Sequence, residues 1–145
     1  MPTTTTDPPI DHVTLPDGTR LAWRQLGAGP AVLLVHGWPT SSHLWRNVMM
    51  PIGERHRVLA LDLPGFASST KPATGRFGFE RFEQALTRFL DHLGIERVAL
   101  AGHDLGGPVV VHWALRHPDR VTRLALLNTL LYPEFSPAVV EFVTA

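Results

Sequence analysis

Asp104, set between glycines in Gly102-His103-Asp104-Leu105-Gly106, is the side chain with the clearest potential for chemistry. The run before it, 97–101 (Arg-Val-Ala-Leu-Ala), reads as a strand, and the run after it, 109–115, reads as a helix. A side chain at the tip of so tight a strand-to-helix turn, a nucleophile-elbow context, crowds its neighbours. Gly102 and Gly106 have no Cβ to clash. The free N–H groups and dipole of a helix start favour an anion at Asp104. A serine here would need a base to remove its proton, whereas a carboxylate can attack an electrophilic carbon directly and form an ester. That suits displacing a halide or opening an epoxide at sp³ carbon. It suits amide or ester cleavage poorly, because attack would give an anhydride. Hydrolysis of the ester then needs water and a general base, ordinarily a histidine held by a carboxylate. On the motif alone, an ordinary loop with an N-capping aspartate is the simpler account, since Gly and Asp also mark plain turns.

Two other loops carry distinctive residues, His36-Gly37-Trp38-Pro39 and Asp62-Leu63-Pro64-Gly65. Gly37 lets the backbone turn so that the Trp38 N–H can point at a developing oxyanion, with the Leu105 N–H as second donor. His36 and His103 read as structural histidines rather than proton carriers, and Asp62 as a brace for its own loop. Trp38 either lines an apolar substrate pocket or packs.

A sheet must position these loops. Residues 10–15 and 19–26 read as strands joined by the turn Pro16-Asp17-Gly18. Residues 31–35 and 57–61 are continuous apolar runs, as central parallel strands covered on both faces require. A helix is expected at 44–52, capped by Ser41 or Ser42, and an amphipathic one at 80–93, stopped by Gly94. Pro108 sits in the first turn of the helix after Asp104, which ends at His117-Pro118. A last strand spans 121–127, and another helix begins near 138. The hairpin followed by alternating strands and helices predicts an α/β fold with a mostly parallel sheet, which binds ligands at the carboxyl ends of its strands.

The 145 residues suffice for one domain with a real core. Thirteen basic residues balance thirteen acidic ones, giving no electrostatic case for nucleic acid or an anionic membrane as partner. No cysteine is present, which suits a reducing, cytoplasmic setting and excludes a thiol nucleophile. The start of the chain lacks the basic and apolar segments of a signal peptide, and residues 1–9 read as a disordered tail.

Together the three loops resemble the N-terminal half of an α/β-hydrolase. His36-Gly37-Trp38-Pro39 is similar to the oxyanion loop. Asp62-Leu63-Pro64-Gly65-Phe66-Ala67-Ser68-Ser69 is similar to an Asp-x-x-Gly-x-Gly-x-Ser segment, with Ala67 in place of Gly. The Asp104 turn is similar to the elbow of the aspartate-nucleophile branch, which holds haloalkane dehalogenases, haloacetate dehalogenases and epoxide hydrolases. The resemblance covers 10–133 and implies an α/β-hydrolase sheet truncated after the sixth strand, with 134–145 as the start of a cut-off cap helix. It implies Asp104 as nucleophile, backbone N–H donors at Trp38 and Leu105, and supporting roles for His36, Gly37, Gly102, His103 and Gly106. No cofactor or metal is implied, and the substrate would be a small apolar electrophile.

The departures are specific. Leu105 stands where dehalogenases carry Trp or Arg, and Trp38 where haloalkane dehalogenases carry Asn or Glu. Tyr132 does not match the cap tyrosines of epoxide hydrolases. Asn128 stands where some members carry the acid partner. None of the eight histidines reads as the base, which the family takes from a later segment. Two expectations follow. One is an incomplete aspartate-nucleophile hydrolase. The other is a non-catalytic fragment or interaction module that needs a complementing chain. The apolar strand at 121–127 would be an exposed edge open to self-association.

Overall fold

The uninterrupted apolar runs at 31–35 and 57–61 lie in the middle of the sheet, where both faces are covered. The computed structural model describes residues 7–71 and 78–129. Among these, the chain forms β1 (Ile10–Thr14), β2 (Arg20–Leu26), β3 (Ala31–Val35), α1 (Arg46–Gly53), β4 (Arg57–Leu61), α2 (Phe79–His92), β5 (Val98–His103), α3 (Gly106–Arg116) and β6 (Val121–Leu127). The described strands make one six-stranded sheet in the order β1-β2-β4-β3-β5-β6. The hairpin β1–β2 is antiparallel and attaches antiparallel to β4, while β4, β3, β5 and β6 run parallel. This is an α/β sheet, mixed but mostly parallel, of the α/β-hydrolase type. Because β3 lies between β4 and β5, the loops after all three strands open at one end of the sheet.

Each face is covered by the helices that the sequence periodicity implies. On one face, Met49 of α1 and the preceding Trp45 pack on Leu34, Val58 and Ala60. On the other, Phe82, Leu86, Phe89 and Leu90 of α2 recur every three or four residues and meet Leu33, Val35, Leu59 and Leu61. Val109, Val110 and Trp113 of α3 complete that side. A polar seam ties the two helices together. The Trp113 indole N–H donates to Thr87 Oγ1 at 2.9 Å, and His117 Nε2 lies 2.9 Å from Glu83 Oε1.

The first helix begins earlier than the apolar spacing predicts, as a 3-10 turn at Ser42–Trp45 that runs into α1. A local and a distant acceptor both stand at that start, and Ser41 is the cap. Asp62 Oδ1 accepts from the Ser42 N–H at 2.6 Å, while Ser41 Oγ accepts from the His43 N–H at 3.3 Å. β5 extends to His103, beyond its apolar run, because β6 continues the ladder with Gly102↔Leu126 and His103↔Leu127. Of the expected tail, residues 7–9 are described. Asp7 pairs with His43 at 2.7 Å, and the Pro8 carbonyl accepts from the Arg24 guanidinium. Residues 1–6, Tyr132 and the helix expected from 138 lie outside the described residues.

β6 is an edge strand of the described sheet. Leu124, Leu126 and Leu127 are 43%, 37% and 43% exposed, in contrast to the fully buried leucines of β3 and β4.

Candidate active site

The loops after β3 and β5 meet at Asp104, and the loop after β4 is tied to them through His36. Its backbone is left-handed, with φ +53°, a conformation that costs a non-glycine residue about 1 kcal/mol or more. The surroundings hold it there. The Asp104 N–H donates to the Leu127 carbonyl at 3.3 Å, and the Asp104 carbonyl accepts from the Gly107 N–H at 3.0 Å. It also accepts from Thr129 Oγ1 at 2.6 Å. The turn is therefore clamped from the end of β6.

The carboxylate is held asymmetrically. Oδ1 accepts from the Trp38 N–H at 2.9 Å and from the Leu105 N–H at 2.6 Å. Among the described residues Oδ2 accepts no hydrogen bond, and Asp104 is exposed. One oxygen thus sits between two backbone donors at the start of α3, while the other faces outward. Both donors stabilise negative charge on Oδ1.

Two close approaches explain the glycines. A Cβ on Gly37 would lie 2.6 Å from Asp104 Oδ1, so only glycine lets the loop after β3 bring its N–H to the carboxylate. A Cβ on Gly106 would lie 2.6 Å from the His36 carbonyl oxygen, so α3 can start against β3 only with glycine there. Gly102 is equally confined, against Gly106 itself.

His36 is fully buried. The Leu63 N–H, a donor only, lies 3.0 Å from Nε2, so Nε2 is the acceptor and Nδ1 carries the hydrogen. Nδ1 donates to the Gly37 carbonyl at 2.8 Å. Burial pushes the imidazole below its ordinary proton affinity, opposed by the Gly37 hydrogen bond and the Asp62 charge. With both nitrogens engaged, neutral His36 ties the end of β3 to the end of β4 and orients the peptides that lead to the Trp38 donor. Its edge lies against Phe66, with ring centroids 5.2 Å apart.

Asp62 is equally buried and uses both oxygens. Oδ1 takes the Ser42 N–H, and Oδ2 takes the Ser68 N–H at 3.2 Å. Its carbonyl accepts from Ser69 Oγ at 2.6 Å, and Ser69 Oγ in turn accepts from the Ala22 N–H at 2.9 Å. The expected brace is what the geometry contains.

His103 turns away from the Asp104 carboxylate. Its ring packs edge-on to Trp45 at 6.5 Å, and its buried Nδ1 makes no hydrogen bond among the described residues. Trp38 does not pack in the core and is 56% exposed at the mouth. No described histidine hydrogen-bonds Asp104.

Two features went unread in the sequence. Thr129 carries no local signature, since its role depends on β6 pairing beside β5. The second is a cavity of about 250 Å³ lined by Phe66, Gly78, Phe79, Phe82 and Leu105, which adjoins the turn at Leu105. Its phenylalanines come from separate segments, and Phe82 alone reads simply as helix core.

Residues 30–143 match the family model for the alpha/beta hydrolase fold, and the chain belongs to that family. It is 37% identical over 142 residues to the bifunctional epoxide hydrolase 2 of Rattus norvegicus, covering 94% of this chain and 26% of that protein. It is 34% identical over 123 residues to haloalkane dehalogenase 2 of Mycobacterium bovis, covering 85% of this chain and 43% of that one. Among solved structures, the epoxide hydrolase CorEH without ligand superposes with a TM-score of 0.83 at 31% identity, covering 94% of this chain and 49% of that one. The chain thus spans half or less of the length of these relatives. Among the described residues, no helix is long and apolar enough to cross a membrane.

Proposed function

We propose that this chain carries the nucleophile half of an α/β-hydrolase that acts on an epoxide or halogenated small molecule through Asp104. The observation that carries the reading is the split carboxylate, with Oδ1 between the Trp38 and Leu105 N–H groups and Oδ2 without a hydrogen-bond partner among the described residues. In the first step an Oδ2 lone pair forms a bond to sp³ carbon, and the carbon–halogen or carbon–oxygen bond breaks. The halide or alkoxide takes the electron pair, and the alkoxide acquires a proton from solvent or a donor elsewhere. Oδ1 becomes the ester carbonyl oxygen, already seated on the two donors. When water later attacks the ester, negative charge develops on that same oxygen, and preorganised donors act on it at once. A serine nucleophile would need those donors empty to receive a substrate oxygen. Filled by the residue's own Oδ1, they suit a carboxylate nucleophile. The second step requires a general base, and none of the described histidines hydrogen-bonds the Asp104 carboxylate. The base would come from outside the described residues or from another chain. The cysteine-free composition fits a cytoplasmic setting.

The test is mass spectrometry after incubation with styrene oxide or 1-bromobutane. A mass gain at Asp104 that disappears in Asp104→Asn is expected. No adduct with either electrophile sinks the reading.

A second reading is a module that works by pairing with another chain, and the exposed leucines of β6 favour it. It predicts self-association at micromolar concentration. A clean monomer by sedimentation counts against it.

A further inference from the structure

We infer that the bay beside Leu105 is an aryl-binding subsite, which makes a compact aromatic epoxide or halide the preferred electrophile. The inference rests on the proposed nucleophile only for the reactive half of the substrate, since the bay stands on its own geometry. Phe66 from the loop after β4, Phe79 and Phe82 from the start of α2, and Leu105 form its walls. Gly78 leaves one side without a side chain. Among the described residues no charged side chain lines it, so a polar or ionic group would lose its water there without a partner from them. Its volume is about 250 Å³. A dry cavity of about 150 Å³ lined by similar residues holds benzene, so one phenyl ring fits here with room for a short linker.

The position is as telling as the size. Leu105 lines the bay with its side chain while its N–H holds Asp104 Oδ1 at 2.6 Å. Leu105 follows Asp104 directly in the chain, so the bay begins one residue from the carboxylate. The three phenyl walls offer edge-to-face contact to a ring, which a linear alkyl chain cannot match. Phe66 already makes such a contact with His36, which fixes the wall's angle. Phe79, 43% exposed, stands at the mouth with its outer side against His112, at a centroid separation of 5.9 Å.

The test uses two probes on the 145-residue chain. Ethylbenzene, which cannot react, is titrated by NMR in the wild type, in Leu105→Trp, which fills the bay, and in Phe79→Ala, a half-exposed position outside the buried core. The expected result is ring-current shifts confined to Phe66, Phe79, Phe82 and Leu105, lost in Leu105→Trp and weakened in Phe79→Ala. Adduct formation at Asp104 is then compared for styrene oxide and propylene oxide. The wild type should prefer styrene oxide by about tenfold or more, the scale of discrimination an apolar pocket supplies. In both variants the preference should collapse towards parity. Absence of ethylbenzene shifts at these residues, or equal rates for the two epoxides, overturns the inference. Ethylbenzene binding without any adduct sustains the bay as an aryl site and overturns the nucleophile.

Discussion

Asp62 and Asp104 occupy the same place in successive strand–loop units, and each carboxylate takes two backbone N–H groups. Asp62 spreads them over both oxygens and is buried, so its hydrogen-bonding capacity is spent on Ser42 and Ser68. Asp104 gathers both on Oδ1, in a left-handed turn, and is exposed, with Oδ2 unpaired among the described residues. The first arrangement satisfies amides that would otherwise be orphaned under a helix start. The second, on the proposed reading, orients a nucleophile at the cost of local backbone strain. The residue type is the same, and its use is decided by where the neighbouring N–H groups point.

Matched substitutions can break that contrast. Asp104→Asn should abolish the adduct, the largest effect expected. Its amide oxygen can still accept both N–H groups, and Asn tolerates φ > 0 well, so Tm should stay within about 2 °C. Asp62→Asn should do the reverse. Its NH₂ replaces one acceptor and faces an N–H, leaving a buried amide unpaired, at about 1–3 kcal/mol. Adduct formation should persist while the urea midpoint falls. If Asp104→Asn unfolds the protein, or Asp62→Asn leaves its stability untouched, the two aspartates do not differ as argued.

His36 sharpens the same point through pH. Burial lowers its folded proton affinity below the ordinary value of 6.5. Above that pH the imidazole is neutral in both the folded and unfolded chain. As pH falls through 6.5, the unfolded chain takes up the proton first and stability drops. His36→Gln is less stable at pH 8, having lost the tie between β3 and β4. Its deficit relative to wild type should shrink between pH 7 and pH 5, measured by urea midpoints at each pH. A constant deficit across that range would mean His36 is not held neutral.

Much of this was legible beforehand, for identifiable reasons. The apolar runs of β3 and β4 and the helical spacing of α2 are local signals of burial, and they marked the fold. Gly37, Trp38, Asp104 and Leu105 were legible because a tight turn restricts residue types at fixed spacing. What was not legible depends on partners far along the chain. Asp62 accepts from the Ser42 N–H at the first helix's start from twenty residues away. Thr129 reaches Asp104 only through the β5–β6 ladder. The bay exists only once Phe66, Phe79 and Phe82 meet.

Thr129 itself is a positioning residue for the clamp on the Asp104 turn. Thr129→Val keeps the shape and removes the hydroxyl that bonds the Asp104 carbonyl. A net hydrogen bond of about 1 kcal/mol predicts a fall of about fivefold in the rate of adduct formation. Thr129→Ser should restore the rate. A Thr129→Val rate equal to wild type would show that β6 does not hold the turn.

Ala67 gives the smallest effect, and it tests the idea that strain belongs to the reagent loop alone. Ala67 also has positive φ, +43°, in the loop after β4 that Asp62 braces. It stands where the resembling segment carries glycine, and a Cβ there is held in the left-handed region with no chemistry in return. Ala67→Gly should remove about 1 kcal/mol of that strain, offset in part by the freer unfolded chain that glycine brings. The net gain should be a few tenths of a kcal/mol, seen as a slightly higher urea midpoint, with no change in adduct formation. Of the three described non-glycine residues with positive φ, Ala67, Asp104 and Asn128, the first two then separate cleanly. Strain at Ala67 can be relieved at no loss, because Asp62 does the loop's work through its side chain. Asp104 keeps the same strain at the position proposed for the nucleophile, so there relief of the strain should come only with loss of the adduct.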